Sequence, residues 1–92
     1  MRYVILNGET IHSRRELYNT LDRHMDLPDY FGRNLDALHD VLLHEILPAG
    51  PMTIEIRGFD ALRANIGEYA TGLRHMLNDA ARDDGNLTVV LK

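Results

Sequence analysis

Residues 28–43 read Pro28-Asp29-Tyr30-Phe31-Gly32-Arg33-Asn34-Leu35-Asp36-Ala37-Leu38-His39-Asp40-Val41-Leu42-Leu43. The run opens as a tight segment holding two adjacent aromatics and a glycine. It continues as an amphipathic helix, because Leu35, Leu38, Val41 and Leu42 recur at helical spacing and define a buried face. Asp36 and Asp40 are four residues apart and share the opposite side, with His39 beside them. Like charges one helical turn apart cost roughly a few tenths of a kcal/mol. Folding gives no reason to place them there, whereas a basic partner does.

The rest of the composition narrows what that partner can be. With 14 acids against 10 bases the chain carries a formal charge of −4, and Arg14-Arg15 is its only pair of adjacent bases. A binder of nucleic-acid backbone needs a basic patch, so direct nucleic-acid binding ranks last. An apolar content of 45% over 92 residues fits one globular domain, residues 1–92, with one modest core. No apolar run is long enough to cross a membrane. The N-terminal Met1-Arg2-Tyr3-Val4-Ile5-Leu6 reads as a strand and not as a signal peptide, which favours the cytoplasm. The absence of cysteine removes disulfides, thiolate catalysis and cysteine-bound metals.

Outward from the central segment, helices and strands alternate. Met1–Leu6 is a nearly continuous apolar run, as expected of a strand covered on both faces, and Asn7-Gly8 ends it in a turn, with a hairpin as the minor alternative. Ser13 and Glu16 fit a capping box for a helix over Arg14–His24, with Leu17, Tyr18 and Leu21 on its apolar side. Asn34 is the natural N-cap of the second helix, which the spacing carries to about Ile46. Leu47-Pro48-Ala49-Gly50-Pro51 breaks the chain before a strand over Met52–Ile56. A short helix from Asp60 to Ile66 and a longer one from Glu68 to Arg82 follow, separated by Gly67. Gly72 inside the longer helix marks a close helix contact, since glycine costs about 1 kcal/mol there relative to alanine. Leu87–Leu91 is the strongest strand signal. The order β-αα-β-αα-β predicts an α/β fold, a three-stranded parallel sheet packed with about four helices.

Each candidate residue has a plainer reading beside the functional one. Asp36 and Asp40 fit an ordinary solvated helix face as well as a binding face. Paired carboxylates acting as acid and base need a cleft, which a convex helix does not provide. His39 with the two aspartates lacks a fourth ligand and points about 100° away from Asp40, so no metal or cofactor is expected. Phe31 fits a plug beneath the loop, while Tyr30 is suited to either core or interface. Gly32 either takes a positive φ or admits a partner to the backbone. The histidines at 12, 24, 39, 44 and 75 are scattered, and His75 with Asp79 reads as a surface i,i+4 pair. Gly50 and Gly58 are isolated, so no phosphate loop is present, and the only serine, Ser13, is taken by its cap.

The segment Leu27–Asp40 closely resembles the barstar family, the intracellular inhibitors of barnase-like bacterial ribonucleases. The resemblance extends to the opening strand into Asn7-Gly8-Glu9, to Ile54-Glu55-Ile56-Arg57-Gly58-Phe59 and to the closing strand. It implies a noncatalytic, one-to-one inhibitor of a small basic extracellular or toxin-like ribonuclease, free of cofactor and monomeric when unbound. It places Asp40 in the nuclease's phosphate site by mimicry, with Tyr30, Phe31, Gly32, Asn34, Asp36 and His39 as further contacts. A glutamate of the family's last helix falls on Asp79, and a cis-proline of barstar falls on Pro51. Two departures stand out: His39 replaces a family tryptophan, and His44–Gly50 differs in length and makeup. They motivate a second reading, a barstar-like module whose partner is a different basic protein or nuclease. A hydrolase using His39 and the carboxylates is the third, and it requires a concave pocket joining those side chains.

Overall fold

A computed structural model describes residues 2–92; Met1, the first residue of the expected strand, lies outside the described residues. The strands are β1 (Arg2–Asn7), β2 (Met52–Arg57) and β3 (Leu87–Leu91). They pair in parallel in the order β1-β2-β3, with Val4 opposite Ile54 and Ile54 opposite Val89. The helices are α1 (Arg14–His24), α2 (Leu35–Val41), α3 (Phe59–Ile66) and α4 (Glu68–Asp83). This is the expected α/β arrangement.

The sheet is covered on one face and open on the other, which corrects the expectation for β1. Val4, Leu6, Met52, Ile54, Ile56 and Leu87 are buried against a core shared with Leu17, Leu21, Leu38, Leu42, Leu62, Leu73 and Leu77 of the helical layer. On the other face Tyr3 is 48% exposed and Ile5 half-buried. The cause is topological. Two crossovers of one hand, advancing the same way across the sheet, put both helical connections on the same side. The apolar run in β1 gives no sign of this.

On the open face, Glu55 of the central strand is only 1% exposed. Its carboxylate accepts hydrogen bonds from the Tyr3 hydroxyl and the Arg57 Nε. Neighbouring side chains roof it, not a deep core. Those bonds, Tyr3 first and then Arg57, hold the Glu55 carboxyl below its usual range.

Local chemistry fixes the ends of the elements. Ser13 Oγ caps α1 by accepting from Glu16 N at 3.1 Å, while Glu16 returns a bond to His12 N at 2.8 Å, one residue before the position a capping box uses. The Asn7-Gly8 turn is no hairpin, since Gly8 N donates to Arg57 O of β2 at 2.7 Å. A Cβ at Gly8 would stand 2.2 Å from the Gly58 carbonyl oxygen, so the crossing of the β1 and β2 exits requires glycine. Gly72 of α4 faces Leu35 of α2 closely enough that a Cβ there would meet Leu35 Cδ1 at 3.1 Å, the close helix contact its position predicts.

Candidate protein-binding site

The second helix is shorter than its spacing suggests. After Val41 the chain widens into a π turn over Leu42–Ile46, closed by Leu47 N–H on Leu42 O, and then tightens into a 3-10 turn over Leu47–Ala49. The buried positions explain it: Val41 and Leu42, then Ile46 and Leu47, repeat at an interval of five. An α-helix of 3.6 residues per turn cannot keep both pairs inward, and an i→i+5 turn can. That interval is legible in the sequence once looked for. Arg2 secures the end of the segment, its Nη2 donating to Ile46 O at 2.7 Å and to Gly50 O at 2.5 Å. Gly50 turns the chain with φ +137°, and the Gly50–Pro51 bond is trans, which corrects the cis expectation.

The preceding loop rests on an aromatic stack. Phe31 is half-buried, with its ring centroid 5.8 Å from that of Tyr18 in α1. Tyr18 meets Tyr69 of α4 edge-on at 6.4 Å, their hydroxyls share a hydrogen bond of 2.5 Å, and Arg14 caps the stack 4.2 Å above the Tyr69 ring. Burial first, then the Tyr69 bond, pushes the Tyr18 phenol strongly upward. Phe31 is thus the plug expected of it. Tyr30 turns outward, 74% exposed, and its hydroxyl donates to Glu45 Oε2 at 2.5 Å; that bond raises its phenol above the usual range.

The positive φ, one of the two readings of Gly32, falls instead on Arg33, at 48°. Asn34 must be extended to cap α2, with φ −142°, and its Oδ1 accepts from Ala37 N at 2.8 Å, so the reversal is made one residue earlier. Arg33 is held by Asp22 at 3.1 Å. Gly32 itself is exposed, its carbonyl accepting from Asn34 Nδ2 at 3.3 Å.

Tyr30, Phe31, Gly32, Ala37, Asp40, Val41, His44 and Glu45 enclose an open cavity of about 320 Å³. Four of the residues singled out in the sequence therefore converge, namely Tyr30, Phe31, Gly32 and Asp40. Asn34 supports the site as a cap. Asp36 is exposed on α2 and does not line the cavity. His39 faces away from it, with Nε2 3.7 Å from Asp83 Oδ2 of α4, within ion-pair range but too far for a hydrogen bond. That Nε2 is shielded from water and without a hydrogen-bond partner. Asp79, one turn before Asp83, pairs with Arg82 and not with His75. Because His39 and Asp40 diverge, the pocket joining His39 with the carboxylates that the hydrolase reading requires is not assembled.

Sequence reasoning missed Glu45 as a site residue. In a regular α-helix it stands about 140° round from Asp40, off the acidic face. The i→i+5 turn swings it back toward Asp40 and under Tyr30.

Acids and aromatics thus gather on one face of the molecule, around a cavity. Comparison with known proteins places the chain in a family. The family described as Barstar (barnase inhibitor) matches residues 1–92. A protein of Bacillus subtilis (strain 168) named "Putative ribonuclease inhibitor YrdF" is 31% identical over 83 residues, 90% of this chain and 89% of that protein. With the match spanning the whole chain, this protein belongs to the Barstar family.

Proposed function

We propose that the chain is a stoichiometric, noncatalytic inhibitor of a barnase-like ribonuclease, and that it covers the nuclease active site with α2 and the loop before it. The observation that carries this reading is Asp40, a carboxylate on the wall of a cavity shared with Tyr30, Phe31 and Gly32, in a chain of this family. A ribonuclease cleft presents cationic groups that bind a phosphodiester. A carboxylate held on a helix can pair with them by charge-assisted hydrogen bonds, and opposed fields speed the encounter. Tyr30 supplies area and a hydroxyl at the rim, while Gly32 lets the partner reach the backbone. Asp36, His39 and Asp79 extend the contact outward from that centre. Residues 1–92 act as one unit, binding one-to-one and protecting the cytoplasm of the producing cell. Titration calorimetry against a panel of barnase-like ribonucleases, paired with RNA cleavage, tests the proposal. Tight one-to-one binding with loss of cleavage is expected; binding that leaves cleavage intact, or no binding across the panel, overturns it.

A further inference from the structure

Glu45 falls in the divergent His44–Gly50 stretch and is not among the contacts the resemblance implies, yet it lines the cavity together with Asp40. The two carboxylates have acceptor capacity to spare. Tyr30 engages only Oε2 of Glu45, and His44 Nε2 stands 3.8 Å from Asp40 Oδ1, within ion-pair range but beyond hydrogen-bond reach. Among the described residues no lysine or arginine pairs with either acid. The same lining holds the aromatic and apolar side chains of Tyr30, Phe31 and Val41, beside His44.

A planar group with several donors fits such a lining. Guanidinium presents donors in a fixed fork and stacks on aromatic faces, whereas ammonium is a compact, more strongly hydrated point charge. The geometry points to Glu45 as a specificity-determining residue that, together with Asp40, receives an arginine side chain of the ribonuclease beside Tyr30. The inference rests on the inhibitor reading above and adds the chemistry that selects the partner. The π turn is what makes it available, because it brings Glu45 round to the cavity.

The test is titration calorimetry with a barnase-like ribonuclease that the unmodified chain inhibits, at low and high salt, with thermal melts confirming that each variant is folded. Glu45→Gln keeps the size of the side chain and an acceptor for Tyr30 but removes the charge. It is expected to weaken binding about tenfold at low salt and less at high salt. The same loss is expected in a Tyr30→Phe background. Affinity within about twofold of wild type, while Asp40→Ala binds weakly, overturns the inference and leaves the inhibitor reading standing. A loss that vanishes in the Tyr30→Phe background also overturns it, since Glu45 then only positions Tyr30. If Asp40→Ala is silent as well, or no ribonuclease is inhibited, the inhibitor reading fails and this inference with it.

Discussion

Gly8→Ala puts a number on the tightest clearance at any glycine of the chain. The added Cβ would lie 2.2 Å from Gly58 O and 2.9 Å from both Cβ and N of Leu62. None of these can step aside as a flexible side-chain tip would. Gly58 O accepts the first hydrogen bond of α3, from Leu62 N at 3.0 Å, and Gly8 N is tied to Arg57 O at 2.7 Å. Relief requires the β1 exit and the β2–α3 junction to separate. Overpacking of this kind costs about 1–3 kcal/mol, and losing one backbone hydrogen bond adds about 0.5–1.5 kcal/mol. The sum, about 1.5–4.5 kcal/mol, lowers Tm by roughly 6–36 °C for a domain of this size. Thermal melts by circular dichroism measure it, with Gly85→Ala as the control, since nothing lies within 4 Å of a Cβ there and its φ is not positive. A fall in Tm below about 4 °C for Gly8→Ala would refute the close approach of the two exits.

Three further outcomes follow from single interactions. Asn34→Ala removes the cap of α2 and should cost about 0.5–2 kcal/mol, read as a lower midpoint in urea with an unchanged slope. Glu55 has a folded pKa below its unfolded value, so its contribution is full above the unfolded pKa and is lost as pH falls through the folded one; Glu55→Gln should flatten the acid limb of a Tm–pH profile. Tyr18 has a folded pKa far above its ordinary value, so its contribution is full below the unfolded pKa and disappears as pH climbs past it. Phenolate absorbance should therefore show Tyr18 ionising only as the chain unfolds in alkali, a step that Tyr18→Phe removes.

Much of this fold is legible in the chain because local and global signals agree. Ser13 and Asn34 each cap the helix their sequence position predicts, and Gly72 marks the α2–α4 contact. Strands separated by helices gave parallel pairing. What the chain hides is set by relations between distant parts. Whether Tyr3 faces solvent depends on which side the crossovers pass, not on the composition of β1. The positive φ sits at Arg33 because Asn34 needs extended backbone for its cap, a constraint one residue beyond the obvious glycine. The site is divided in the same way. Tyr30, Phe31, Gly32 and Asp40 gather around the cavity as neighbours of one loop and one helix. Asp79 and His39 turn to partners on α4, and Glu45 joins only because buried residues recur at five rather than four.

The central claim is that the surface around Asp40 meets the ribonuclease. Calorimetric affinities of wild type, Asp40→Ala and Glu9→Ala for one inhibited ribonuclease test it most directly, since Glu9 is an exposed acid in the turn after β1, outside the proposed contact set. Truncating one member of a desolvated charge pair costs at least about 2 kcal/mol, so Asp40→Ala should weaken binding at least about thirtyfold. Glu9→Ala should stay within about twofold, with both variants melting as wild type does. Equal losses for the two acids, or an Asp40→Ala variant that binds as wild type does, would contradict the account.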